Sequence, residues 1–275
     1  MAETIAVALE RPPAASPATL RSMILPGEHG GWGLLAEPLL LGWIVAPSIG
    51  GAAVAVAAVS GFLCRHPARL ALADRLRGAR SPRTRIAFAY AAGFGAVAAA
   101  AGVAALALAR GSLAVLIPIV APLVAVSLAY DARLRGREAA AELAGALALA
   151  AGAPAAALAA GWPLTRALGL WLLLAGRSVG SVLEVRCRLR RQRGVPTSRR
   201  PVFVTAGGFG VAAAVGASLG ALPAAAALVP AALWARSLWN LRSGAPPLRA
   251  QAIGWSEVRL GVMATLAWAL CYRLS

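Results

Sequence analysis

Residues 51–85 read GAAVAVAAVSGFLCRHPARLALADRLRGARSPRTR. An apolar run fills the first half, and Arg65, Arg69, Arg75, Arg77, Arg80, Arg83 and Arg85 crowd the second. A bilayer core takes about 20 apolar residues per helix, and cationic side chains collect where such a helix leaves the membrane on its cytoplasmic side. The same alternation of apolar stretch and arginine cluster recurs along the chain. The sequence therefore predicts an all-α fold, a polytopic membrane helix bundle.

Composition agrees. The 275 residues are 60% hydrophobic and 13% charged, against about 25% charged in an average soluble domain, and the mean hydropathy is +0.73. This argues against a soluble fold. All 27 basic residues are arginine, giving a formal charge of +17. A nucleic-acid partner is not expected, because the arginines flank apolar spans and no zinc-finger spacing or RNA-binding signature is present. Cys64, Cys187 and Cys271 are widely separated, which is neither a disulfide framework nor a metal spacing.

Helices are expected at about 32–48, 51–73, 86–109, 113–130, 139–160, 165–187, 201–218, 222–239 and 254–273, about nine transmembrane helices in all. The joins at Pro47-Ser48-Ile49-Gly50-Gly51 and Leu219-Gly220-Ala221-Leu222-Pro223 rely on Gly and Pro as breakers. Residues 1–26 read as a flexible cytoplasmic amino-terminal tail without the apolar core of a secretory signal, and 27–275 as a single transmembrane helical domain. With the amino terminus inside, the cytoplasmic side of the cell membrane receives nearly every arginine from Arg65 onward. The outer side receives only Arg110, Arg166 and Arg273.

Beyond Glu3 and Glu10, the carboxylates all lie in or beside expected spans, where an ionisable group is costly and is a functional candidate by default. Three polar clusters stand out. In Pro26-Gly27-Glu28-His29-Gly30-Gly31-Trp32, Glu28 and His29 either cap the first helix or hold a polar ligand, with Glu37 about two turns deeper. In Cys64 to Arg75, Arg65 and Arg69 share a helix face, beside His66, Pro67 and Asp74. They either snorkel to the headgroups or face a ligand. In the third, Arg177, Ser181, Glu184 and Arg188 form a polar stripe on an apolar helix. Arg177 is too deep for a positive-inside anchor. The stripe either holds a Glu184–Arg pair within the bundle or turns its guanidinium donor forks to an anionic ligand. Tyr130 to Glu142 and Gly254 to Arg259 read more simply, as a charged turn and a helix start with an internal pair.

At Glu28-His29-Gly30, Arg65 to Leu70, Ala175 to Ser178 and Val185 to Arg190 the chain resembles the YwiC-like family of bacterial membrane proteins. The nine-span layout more distantly resembles the UbiA superfamily of intramembrane prenyltransferases, whose members hold a prenyl diphosphate through magnesium on two aspartate-rich motifs. That resemblance implies a UbiA-like bundle with its polar mouth at Arg65 to Asp74 and Glu184 to Arg193. Arginines stand where the aspartates belong, leaving Asp74 and Glu184 as isolated carboxylates. No metal site is expected, because magnesium usually needs carboxylates together with substrate phosphates.

The resulting expectation is a pocket for an anionic, phosphate- or diphosphate-bearing ligand, lipid- or isoprenoid-derived, on the arginine-rich side. Its candidate residues are Glu28, His29, Glu37, Arg65, His66, Arg69, Asp74, Arg177, Ser181, Glu184 and Arg188. No catalytic residue or cofactor is assigned. A small-anion transporter or channel and a non-catalytic membrane subunit are the alternatives.

Overall fold

The computed structural model describes residues 29–78, 81–242 and 248–275. Among them the chain is helical throughout, with no strand, and each of the nine stretches expected as spans carries a helix. The α-helices are α1 His29–Val45, α2 Ile49–Leu76, α3 Pro82–Leu108, α4 Ile117–Ala132, α5 Ala139–Ala150, α6 Gly152–Ala159, α7 Leu164–Gln192, α8 Arg200–Ser218, α9 Leu228–Asn240 and α10 Ala250–Arg273. Short 3-10 turns at Ser112–Leu116 and Ala224–Ala227 lead into α4 and α9.

Local chemistry sets these boundaries. Ser48 caps α2 by accepting from the Gly51 amide at 2.9 Å, and Ser81 does the same for α3, with Pro82 opening that helix. α7 carries Arg190 and Arg191 in its last turn, where cations favour the carbonyl end of the helix dipole. The single helix expected over 139–160 is instead divided at Ala151 into α5 and α6. Pro154 has no amide hydrogen to offer the Ala150 carbonyl, so a helical bond is missing there.

Six helical stretches are long and apolar enough to cross a membrane: Ile49–Leu76, Pro82–Leu108, Ser112–Ala132, Ala139–Ala159, Leu164–Gln192 and Arg200–Ser218. The chain is a multi-span membrane helix bundle. The other three stretches fall short of that standard for visible reasons. α1 has 17 residues, α9 has 13, and α10 carries Glu257 and Arg259 close to its start.

α2 lies along α3, α4 along α5, α7 along α8, and α10 along α1. Small residues permit close approach, as expected for association by van der Waals packing in lipid. A methyl group on Gly42 of α1 would stand 2.8 Å from the Ala156 methyl of α6. Leu41, Leu170, Leu174 and Trp268 are wholly enclosed at the centre, and the Trp268 indole donates to the Ala226 carbonyl at 3.2 Å. One end of the bundle gathers Arg110, Arg166 and Arg273. There Arg166 stacks on Trp162 and Tyr272, and Arg273 donates to the Ile44 carbonyl at 3.0 Å. Arg65, Arg69, Arg137 and Arg186 gather away from that end, around a common cavity.

Candidate functional site

At the arginine-rich end α1, α2, α5, α7 and α10 surround a cavity of about 580 Å³. Its walls are mixed. Leu34, Phe62, Leu149, Val182 and Val258 give an apolar lining, while Arg65, His66, Arg69, Arg137 and Arg186 stand at the mouth and Glu37, Arg177, Ser181 and Glu257 form the floor.

The mouth is built on α2 and the α4–α5 connection. Phe62, Arg65 and Arg69 recur at three- and four-residue intervals and so share a face of α2. Arg65 clasps Asp131 with two donors, Nε to Oδ2 at 2.5 Å and Nη2 to Oδ1 at 3.1 Å. Arg69 Nε reaches the same carboxylate at 3.3 Å. Asp131 is enclosed, whereas about a third of each arginine side chain stays open. Two guanidinium groups therefore share one carboxylate, and a positive charge is left over at the cavity wall. Gly136 belongs to this arrangement, because a methyl group there would collide with Asp131. Across the mouth Arg186 pairs with Glu142 at 2.7 Å and also donates to the Arg137 carbonyl at 3.0 Å.

The floor is a buried ion chain. α1 begins at the arginine-rich end and places Glu37 about 12 Å inside, and α10 places Glu257 about 10 Å inside, at 1.5 Å per residue. Both meet Arg177 in the middle of α7. Arg177 Nη1 lies 3.2 Å from Glu257 Oε2, Nη2 lies 3.4 Å from Glu37 Oε1, and Nη2 also donates to the Glu257 carbonyl at 2.7 Å. Ser181 donates to Glu257 Oε2 at 2.7 Å. From Glu257 the chain continues through Arg236 of α9, at 2.5 Å, to Glu184, at 3.5 Å. Glu184, 1% exposed, is held further by Ser237 and Asn240, each at 2.7 Å, and by Arg188 at 3.7 Å. Three carboxylates alternate with three arginines, so charges that are costly at membrane depth neutralise one another.

The structure thus sorts the expected residues. Glu37, Arg65, His66, Arg69, Arg177 and Ser181 are brought to one cavity. Glu184 and Arg188 lie on the α9 side of α7, at the far end of the ion chain. Asp74 turns to α3, where it accepts from the Thr84 hydroxyl at 2.9 Å. Glu28 lies outside the described residues, and His29 opens α1 without a described side chain. The expected Glu184–Arg pair is formed, with Arg188 and Arg236, while Arg177 pairs with Glu37 and Glu257. Asp131 and Glu142 read in the sequence as parts of a charged turn and Glu257 as part of an internal pair at a helix start. In the structure they are instead partners of Arg65, Arg69, Arg186 and Arg177, with Arg236 as a further partner of Glu257. The usable signal was the depth of Arg177, which demands carboxylates at matching depth on neighbouring helices.

Asp74 and Glu184, the carboxylates at the positions implied by the UbiA resemblance, are each engaged by protein donors and lie off the cavity. They do not suit magnesium at this mouth. Among the described residues no three His, Cys, Asp or Glu side chains gather into a metal-holding group. The mouth is equipped instead to neutralise an anion through guanidinium donors, and the walls to receive apolar groups.

No curated protein and no solved structure matches the chain. A family profile described as YwiC-like protein matches residues 25–157. That stretch holds Glu37, Arg65, His66, Arg69, Asp131 and Glu142, so the mouth lies largely within it, whereas Arg177, Arg186 and Glu257 lie beyond it. Over residues 25–157 the chain is therefore similar to the YwiC-like family, and as a whole it is a multi-span membrane helix bundle.

Proposed function

We propose that the cavity binds an anionic, phosphate- or diphosphate-bearing ligand derived from a lipid, and that the arginine-rich end faces the cytoplasm at the cell membrane. The observation that carries this reading is the sharing of Asp131 by Arg65 and Arg69. The surplus positive charge is partly open to a cavity whose walls between mouth and floor include Leu34, Phe62, Leu149, Val182 and Val258, a pairing of surfaces that suits a charged head with a hydrocarbon body. Guanidinium groups hold phosphate oxygens in a bidentate fork. Metal is not needed for such binding.

Native mass spectrometry of the detergent-purified protein tests the proposal. A defined phosphate-bearing lipid is expected to co-purify, and to be lost from Arg69→Gln, which leaves the Arg65–Asp131 clasp in place. Equal retention by the wild type and a folded Arg69→Gln protein overturns the proposal. Small-anion transport is the reading favoured if radiolabelled phosphate, but no lipid, is retained in an Arg69-dependent way.

A further inference from the structure

The wall between α1 and α2 differs from the rest of the cavity. Trp32, Ala36, Leu40 and Trp43 recur every three or four residues on the outer, exposed side of α1, the side a membrane-embedded helix offers to lipid. The neighbouring positions Gly33 and Glu37 face the cavity. On α2, Phe62 lines the cavity, and its ring meets the outward Trp32 edge-on, with centroids 5.0 Å apart and planes at 66°. One aromatic ring therefore touches the inner space and the lipid-facing stripe at once.

Glycine makes that contact possible. A methyl group on Gly31 would lie 3.2 Å from Phe62 Cζ, so the ring rests directly on the α1 backbone. Nothing stands within 4 Å of a methyl placed on Gly30 or on Gly61, the residue before Phe62. At this seam the two aromatic side chains supply the bulk, and the backbones beside them carry none.

We infer that the hydrocarbon tail of the ligand leaves the cavity between α1 and α2, across the ring of Phe62 and beneath Trp32. The inference rests on the phosphate-lipid reading above and adds where the tail goes and what recognises it. Continuity with the charged mouth supports it. Phe62 stands three residues before Arg65 and seven before Arg69 on the same face of α2, about 5 and 10 Å along the helix. A phosphate held by Arg65 and Arg69 thus has its ester oxygen directed to an apolar ring within the reach of the first few methylenes. Trp32 continues that surface outward to the bilayer, where the amphipathic indole is favoured near the interface. Phe62 and Trp32 are then tail-contact residues, and they select a linear hydrocarbon over a bulky soluble group.

Photo-crosslinking in nanodiscs tests this, with phosphatidic acid carrying a diazirine near the carboxyl end of one acyl chain as the probe. Label on peptides holding Trp32 and Phe62 is expected to be saturable and to be competed by unlabelled phosphatidic acid but not by diacylglycerol. In Arg69→Gln it falls about ten-fold, the consequence of losing one charge-assisted contact. Saturable, phosphate-competed label on α5, α7 or α10 in place of α1 and α2 overturns the tail route while leaving the phosphate-lipid reading intact. Arg69-dependent retention of radiolabelled pyrophosphate without any saturable lipid label overturns the tail route and identifies a soluble anion. Label indifferent to phosphate competition and to Arg69→Gln removes both.

Discussion

At the residue scale, Arg177 is the most exacting position in the protein. It is 5% exposed, and it is the only guanidinium reaching Glu37 among the described contacts. Removing one partner of a buried charge pair leaves the others uncompensated, which costs about 3–5 kcal/mol, whereas a well-packed apolar replacement of the whole set can be neutral. Arg177→Gln is therefore expected to lower stability by that amount in detergent unfolding experiments, more than Glu37→Gln, because Glu257 still meets Arg177 in the latter. Comparable losses in the two variants would show that the arginine is not the centre of the chain. Gly261 gives an independent reading of the same spot. A methyl group there would sit 1.7 Å from Glu37 Oε1, so Gly261→Ala must displace the carboxylate from Arg177, at a cost of about 1–3 kcal/mol for overpacking. Truncating the acid makes room, so the cost of Gly261→Ala is expected to shrink in a Glu37→Ala background. A double-mutant cycle measures that coupling, and simple additivity would place the two residues out of contact.

At the scale of the element, the ion chain explains how a short helix is held. α9 spans 13 residues, follows a 3-10 turn and carries Pro230 in its first turn, too little apolar length to be fixed by burial alone. Its inner face instead offers Arg236, Ser237 and Asn240 to the enclosed Glu184 of α7. Asn240→Ala takes a donor from a buried carboxylate and is expected to cost about 1–3 kcal/mol, with faster hydrogen exchange in α9 than in α8 as the local signature. Uniform exchange across both helices would mean that α9 is held by other contacts. These elements also show what a sequence can disclose. The apolar runs and arginine clusters placed the helices to within a few residues, because length and charge are properties of each segment by itself. The break at Ala151 was missed although Pro154 was in view, since an Ala-rich run tolerates proline or divides at it according to its neighbours. Arg65, Arg69 and Arg177 were recognised as too polar for their surroundings. Their partners Asp131, Glu37 and Glu257 lie 66, 140 and 80 residues away, and sequence spacing says nothing of which helices become neighbours.

For the whole molecule, charge asymmetry is the property that sets the final disposition in the membrane. The mouth carries Arg65, Arg69, Arg137 and Arg186, and the stretch from the last turn of α7 to the start of α8 adds Arg190, Arg191, Arg193, Arg199 and Arg200. The opposite end offers Arg110, Arg166 and Arg273, of which Arg166 lies against aromatic rings and Arg273 against a helix carbonyl. Translocation of arginine is disfavoured in short connections, so the richer end is expected to stay on the side of synthesis. This disposition also serves the proposed site, since a cavity mouth on the cytoplasmic side meets the leaflet whose anionic headgroups are drawn to basic surfaces. Single cysteines in a background lacking Cys64, Cys187 and Cys271 decide the matter. We predict that Arg77→Cys and Arg193→Cys, at exposed positions of the arginine-rich end, react with a membrane-impermeant maleimide only after the cells are opened. Thr165→Cys and Leu219→Cys, exposed at the other end, are expected to react in intact cells. The reverse pattern would place the cavity mouth outside the cell, where cytoplasmic phosphate-bearing lipids do not reach it. Labelling of all four in intact cells would mean that the chain does not adopt one orientation, and the arginine imbalance would then need an explanation other than topology.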